Sequence, residues 1–260
     1  MRKTRLFVAA VLGILLASAV VAEEDRGTSD PPAEAPWPRQ EPMGEIPEDR
    51  PLRAGFLVID GVYDTELTAP LDILHHTVFH TDPGIEVFTV SPYGRAVTSF
   101  EGLQIVPDYG FDNHPAIDIL VVPSAEHNMD ADLENEPLIE WVRETGRRAI
   151  YVMSLCDGAF VLAEAGLLKG RHATTFPADR DRFGEMFPRV DLEREVSFVH
   201  DGPAITSVGG ARSFEPALYL VDLLYGTEVA RDVARGLVLP WPPRAQPFRA
   251  LVVDYSKDRH

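Results

Sequence analysis

The feature that most constrains this chain is a series of short, unbroken apolar runs, each followed by a stretch with helical spacing. "AGFLVIDG", "GIEVFTVSP", "IDILVVPS" and "RAIYVMS" are such runs, closed by turn residues or polar groups. A run of that length with no polar alternation fits a strand buried on both faces. Between them lie "ELTAPLDILHHTVFH", "EPLIEWVRETG" and "DGAFVLAEAGLL", whose apolar spacing is closer to that of helices. In the second, Pro137 is tolerated in the first turn and Gly146 reads as a stop; the third ends near Gly166. "HATTF", "AITSVGG" and the helix "SFEPALYLVDLLYG" continue the series, and Thr227 to Leu239 reads as one more helix. Strands alternating with helices predict an α/β fold with a mostly parallel central sheet, covered by helices on both faces.

Outside this series the composition changes. "MRKTR" followed by "LFVAAVLGILLASAVVA" has the basic start, apolar middle and small-residue end of a secretory signal, so residues 1–22 are expected to be removed on export. The product would be periplasmic or secreted, with no stable membrane anchor after cleavage. Residues 23–51 are acidic, rich in proline and without apolar periodicity. They read as a mostly disordered linker ahead of a domain at 52–240. Residues 241–260 are a tail, into which the proline-rich "PWPPRAQP" runs from Pro240. Its apolar "FRALVVDY" has no place in the pattern. The formal charge of −17 disfavours contact with phosphate backbones, which argues against a nucleic-acid partner.

The chain has a single cysteine, Cys156 in "SLCDGAF". An exported protein with one cysteine forms no internal disulfide, so the thiol is buried, used, or paired with another molecule. Sites in α/β sheets lie where strands end and helices begin, and Cys156 stands at such a junction. The order strand, Leu155, Cys156, Asp157, Gly158, helix has the spacing of a nucleophile elbow. The helix start favours a thiolate, while the charge of Asp157 works against one. His76 and His80 share a helical spacing but have no further metal-ligand pattern, so no metal is expected. Gly209-Gly210 lacks the context of a phosphate loop and reads as a turn before the last long helix.

"SLCDGAFVLAEAGLLKGRHATTFP" resembles the nucleophile region of the ThiJ/PfpI family. The nearest branch is that of isocyanide hydratases and the sensor domains of AraC-type regulators. "FLVIDGVYDTELTAPLDIL", "IDILVVPS", "ITSVGGARSFEPALYLVDLLYG" and "EVARDVARGLVLP" resemble further segments of that branch, in the same order. The resemblance implies a flavodoxin-like, class I glutamine amidotransferase-like three-layer sandwich. It also implies a homodimer, a small-molecule substrate or ligand, and no cofactor.

The resemblance places the family's acidic residue at Glu66, where a protonated carboxyl beside Cys156 would favour the thiolate. It places an oxyanion site on the N–H of Asp157 together with that of Ser124 or Ala125, which stand where the family usually has two glycines. Many members carry a histidine after "TT"; here Phe176 holds that place. His172 lies four residues earlier, about 13 Å away along an ideal strand. His127 is the better substitute for proton transfer. The implied activity is cysteine-dependent addition to a small electrophile, as by a hydratase, hydrolase or lyase. The alternative is a non-catalytic small-molecule-binding or cysteine redox-sensing module.

Overall fold

A computed structural model describes residues 37, 41–44, 46–47, 49–241 and 249–251. All of these lie in one of the chain's two units, Pro32–His260. The signal reading, the first part of the linker and most of the tail fall outside the described residues.

In chain order the elements begin with β1 (Arg53–Leu57), α1 (Asp64–His76) and β2 (Glu86–Ser91). The short strands β3 (Val97–Thr98), β4 (Gln104–Ile105) and β5 (Tyr109–Gly110) follow. Next come β6 (Ile119–Val122), α2 (Glu136–Arg148), β7 (Tyr151–Leu155) and α3 (Gly158–Glu164). Then come β8 (His172–Ala173), α4 (Arg180–Met186), β9 (Asp191–Leu192), β10 (Phe198–Asp201) and β11 (Ala204–Ser207). The series closes with α5 (Phe214–Tyr225), α6 (Thr227–Gly236) and β12 (Arg249–Leu251).

The main sheet has eight strands in the order β12-β10-β11-β7-β6-β1-β2-β5. Every neighbouring pair is parallel except β10 with β11. The unbroken apolar runs have a direct cause. In β6, Ile119 and Val121 enter one core, and Leu120 and Val122 enter the other. Helices α1, α5 and α6 complete the first core, and α2, α3 and α4 the second. β6 is apolar on both sides because both sides are covered. This is the three-layer sandwich expected from the sequence.

Several local expectations change. Gly146 does not stop α2, which runs on to Arg148. It is small because a Cβ there would lie 2.5 Å from Leu167 Cδ1, where α2 packs beside the segment after α3. The start of α2 follows ordinary capping, since the Asn135 side chain accepts from the Leu138 N–H and Pro137 sits in the first turn. "HATTF" contributes only two residues of strand, in a separate pair with β9. The apolar segment near the C-terminus finds its place as β12, parallel to β10 at the sheet edge.

The linker reading is corrected at Trp37 and at the described residues between 41 and 51. Trp37 is 7% exposed and packs edge-on against Tyr219 and Trp241. The Met43 N–H donates to Tyr151 Oη at 2.7 Å. Arg50 makes two hydrogen bonds to the Asp118 carboxylate, at 2.7 and 2.9 Å, and Asp118 also accepts the Arg53 N–H. One tryptophan in a proline-rich stretch offers enough apolar surface to dock on a core, although the stretch has no periodicity of its own.

Candidate active site

The C-terminal ends of β6, β7 and β11 converge with the start of α1. Cys156 is the first residue after β7. Its N–H donates to Ser207 O at 3.0 Å, which continues the β7–β11 ladder, and the chain then turns with Cys156 at φ 52°. This left-handed conformation is uncommon for a non-glycine residue and marks strain held by the surrounding structure. It is the elbow expected from the spacing. Gly158 permits the turn, because a Cβ there would collide with the Val122 carbonyl oxygen and stand 3.1 Å from Pro123 O. Gly158→Ala is therefore expected to cost about 2 kcal/mol in a denaturant titration, the ordinary penalty for overpacking against backbone that cannot rotate away.

Glu66 enters from α1. It is 5% exposed, so it is not a solvated acid at the helix start. Oε1 accepts the Gly210 N–H at 2.9 Å and Oε2 the Ser124 N–H at 3.2 Å. A Cβ at Gly209 would collide with Cys156 Cβ and come within 2.6 Å of Glu66 Oε1. A single missing methyl group thus separates cysteine from carboxyl. The glycine pair read as a plain turn is part of the site: Gly209 leaves the space and Gly210 supplies the donor.

The thiol differs from expectation. Burial, then the charges of Glu66 and Asp157, push the Cys156 pKa well above the ordinary thiol range. The Asp157 N–H and the buried Ser124 hydroxyl pull it back only in part. The Ser124 hydroxyl makes no full hydrogen bond, so the sulfur has a nearby donor rather than a firm partner. Cys156 is 8% exposed, and its burial favours the neutral thiol over the thiolate. Each Glu66 oxygen accepts one backbone N–H.

The expected oxyanion amides are also engaged. The Ser124 N–H belongs to Glu66, and the Ala125 N–H donates to Asn128 Oδ1 at 2.8 Å. The reason lies in the loop, where residues 124–126 pair with residues 61–63. The Tyr63 N–H donates to Ser124 O, and the Glu126 N–H to Gly61 O. Of the three N–H groups named from the sequence, only that of Asp157 points to the sulfur.

The histidines lie elsewhere. The His127 side chain is 56% exposed and pairs with Asp130 at 3.4 Å. It lines a cavity of about 350 Å³ with Asp60, Tyr93, Arg95 and Asp132, and Cys156 is not among the residues around that space. His172 is bound by its N–H to Asp201 and by its ring to Glu193, both at 2.8 Å. His76 pairs with Asp72, and no metal-ligating cluster occurs among the described residues. Phe176 is 41% exposed, just beyond the site.

Three neighbours were not legible as site residues. Thr175 is fully buried and its hydroxyl bridges Cys156 O and Asp157 Oδ1, both at 3.0 Å. Asp179 lies close enough to the Asp157 carboxyl that, after burial, its charge raises the Asp157 pKa. Tyr63, stacked on Phe100 with ring centroids 4.5 Å apart, has its pKa raised first by burial and then by its acidic neighbours at the site. The "TT" before Phe176 was the available signal for Thr175. Nothing in the sequence pointed to Asp179.

A parallel α/β sheet that ends in a strained cysteine corner, with a buried carboxyl set against it, defines the class of α/β proteins with a cysteine at a strand-to-helix elbow. Within that class the chain belongs to the DJ-1/PfpI family, whose model matches residues 52–223. An isonitrile hydratase of Pseudomonas putida is 33% identical over 193 residues, covering 74% of this chain and 81% of that protein. The HTH-type transcriptional regulator CdhR of Pseudomonas aeruginosa is 31% identical over 72% of this chain, and the match spans about half of the regulator's length, 53%. Among solved structures, a ThiJ/PfpI family protein from Pseudomonas syringae superposes with a TM-score of 0.65 at 25% identity, covering 78% of this chain and 83% of that one. Drosophila melanogaster DJ-1beta shares the fold, with a TM-score of 0.64 at 23% identity over 74% of this chain and all of its own.

Proposed function

We propose that this protein is an exported, homodimeric hydratase that uses Cys156 to add water to a small neutral electrophile of the isocyanide type. The observation that carries the reading is the Cys156 corner, held at positive φ against Glu66 across Gly209. Strain of this kind at a strand end serves to present a side chain. The 33% identity to an isonitrile hydratase over most of both chains supports the choice of electrophile. Glu66 and Asp157 surround the sulfur with acid, which disfavours anionic substrates. The redox-sensor alternative finds less support, because oxidation of a cysteine follows exposure and thiolate character and Cys156 has little of either. The binding-module alternative draws on the engaged Ser124 and Ala125 amides.

The test is turnover of an alkyl and an aryl isocyanide, read as formamide by mass. Wild-type protein is expected to produce it, and Cys156→Ser to return to the uncatalysed rate. Saturable binding of the isocyanides without product would favour the binding module. Equal rates for wild type and Cys156→Ser would remove the cysteine from the chemistry.

A further inference from the structure

The path of the chain across the main sheet reverses at β1. From β1 it passes to β2 on one side, and after β5 it returns to β6 on the other. Open α/β sheets hold ligands in the crevice beyond the C-terminal strand ends at such a point. The cavity of about 350 Å³ lies there: Asp60 follows β1, Tyr93 and Arg95 follow β2, and His127 and Asp132 follow β6. Its size falls at the lower end for small-molecule sites. A bridged pair of segments runs between it and the cysteine corner. Val62 pairs with Ala125, the Glu126 N–H donates to Gly61 O and the Tyr63 N–H to Ser124 O, both at 3.0 Å. Asp60 and His127 stand at the cavity end of that pair, and Tyr63 and Ser124 at the end beside Glu66.

The cavity carries charges of both signs. The Arg95 guanidinium has no ion pair among the described residues. Asp60 Oδ1 accepts the Thr98 N–H at 2.8 Å, and Asp132 Oδ2 accepts from the Asn128 side-chain amide at 2.9 Å. The second oxygen of each carboxylate has no hydrogen bond among the described residues. Burial raises the Asp132 pKa, so its carboxylate gains from a cation placed beside it. Much of the remaining wall is apolar, with Ile59, Pro92, Val97 and Leu138 contributing. An anion entering alone would meet two carboxylates, and a cation entering alone would meet an unpaired guanidinium. A ligand that carries both charges on a short apolar body answers all three.

We infer that this cavity binds a free α-amino acid with an apolar side chain, its carboxylate on Arg95 and its ammonium on Asp60 and Asp132. Arginine meets a carboxylate through two parallel N–H groups, and charge-assisted hydrogen bonds of this kind are the strong ones. Tyr93 is 80% exposed and offers a ring face to the same ammonium at the cavity rim. The apolar wall takes the side chain. Binding is reversible and involves no bond to Cys156, so the site stands whether or not the protein hydrates isocyanides.

The experiment titrates the full chain with three probes and follows backbone amide NMR signals, which report weak binding as well as tight. The probes are L-leucine, 4-methylpentanoate, which lacks the ammonium, and 3-methylbutylamine, which lacks the carboxylate. Leucine is expected to saturate with a Kd below about 1 mM, a modest value for a ligand of this size. The signals that move should be those around Tyr93, Arg95, His127 and Asp132. Each truncated probe should bind at least about 10-fold more weakly, the ordinary loss for a missing charged hydrogen-bond partner. Arg95→Gln should weaken leucine at least about 10-fold and leave 3-methylbutylamine unchanged. Asp132→Asn should weaken leucine and 3-methylbutylamine but not 4-methylpentanoate, a split that a misfolded variant would not show. Cys156→Ser should leave leucine binding as it is. No saturable shift at about 10 mM leucine, ten times the expected Kd, overturns the inference. Equal affinity for leucine and either truncated probe overturns it too, since only one charge would then be read. Loss of binding in Cys156→Ser would move the ligand to the cysteine corner and also overturn it.

Discussion

Gly209→Ala is expected to cost about 3 kcal/mol of stability and to lower turnover at least 100-fold. Two costs combine. Gly209 lies at φ 75°, ψ −157°, a region that is essentially glycine's alone, and forcing a side chain there costs about 1–3 kcal/mol. The added Cβ would also collide with Cys156 Cβ and stand 2.8 Å from Cys156 N and 2.6 Å from Glu66 Oε1. Overpacking of this kind typically costs a further 1–3 kcal/mol. The contacts are with a backbone atom, a Cβ and a carboxyl held by two hydrogen bonds, so relief must come by moving the site itself. A displacement of about 1 Å at reacting groups suffices for a 100-fold loss. Gly210→Ala is the control. Its φ is 56° but no atom lies within 4 Å of the added carbon, so only the left-handed penalty of about 1–2 kcal/mol applies. Urea denaturation and isocyanide turnover on both variants separate the two costs. Equal losses at 209 and 210 would mean that contact with Cys156 and Glu66 contributes nothing.

Trp37→Ala is expected to destabilise the protein by about 3 kcal/mol, the lower end for removing a buried tryptophan. A residue in a free tether would show a change near zero. The side chain is 7% exposed and stands edge-on to Tyr219 at 5.5 Å and to Trp241 at 5.8 Å between ring centroids. Tyr219 in turn donates to or accepts from His200 at 2.7 Å, so the docked segment closes over a buried polar pair in the first core. Burial lowers the His200 pKa, which keeps that pair neutral. The measurement is the shift of the denaturation midpoint, with Trp37→Phe expected to recover part of the loss. A chain that begins at residue 52 should lose stability as well, because it also lacks the Arg50–Asp118 pair.

Much of the fold was legible because the sheet is covered on both sides. Strands β1, β6 and β7 could be read as short apolar runs without alternation, since both faces of each enter a core. Pro137 marked the start of α2 for local reasons. Where the expectations failed, the cause was contact with distant chain. Gly146 looks like a helix stop until Leu167 is packed against it. Trp37 lies in a stretch with no periodicity, and only the surface formed by Tyr219 and Trp241 gives it a partner. β12 is an edge strand whose identity depends on β10 being there to pair with it.

The order of residues alone determined the alternation of strands and helices and the cysteine corner after β7, because these depend on side-chain pattern and on neighbours within a few positions. The chemical state of that corner was decided only by tertiary structure. The two N–H groups that occupy Glu66 lie 58 and 144 residues away along the chain, and the acid that raises Asp157 arrives on the turn after Phe176. Ionisation answers to burial and to charges through space, and neither exists until the segments meet.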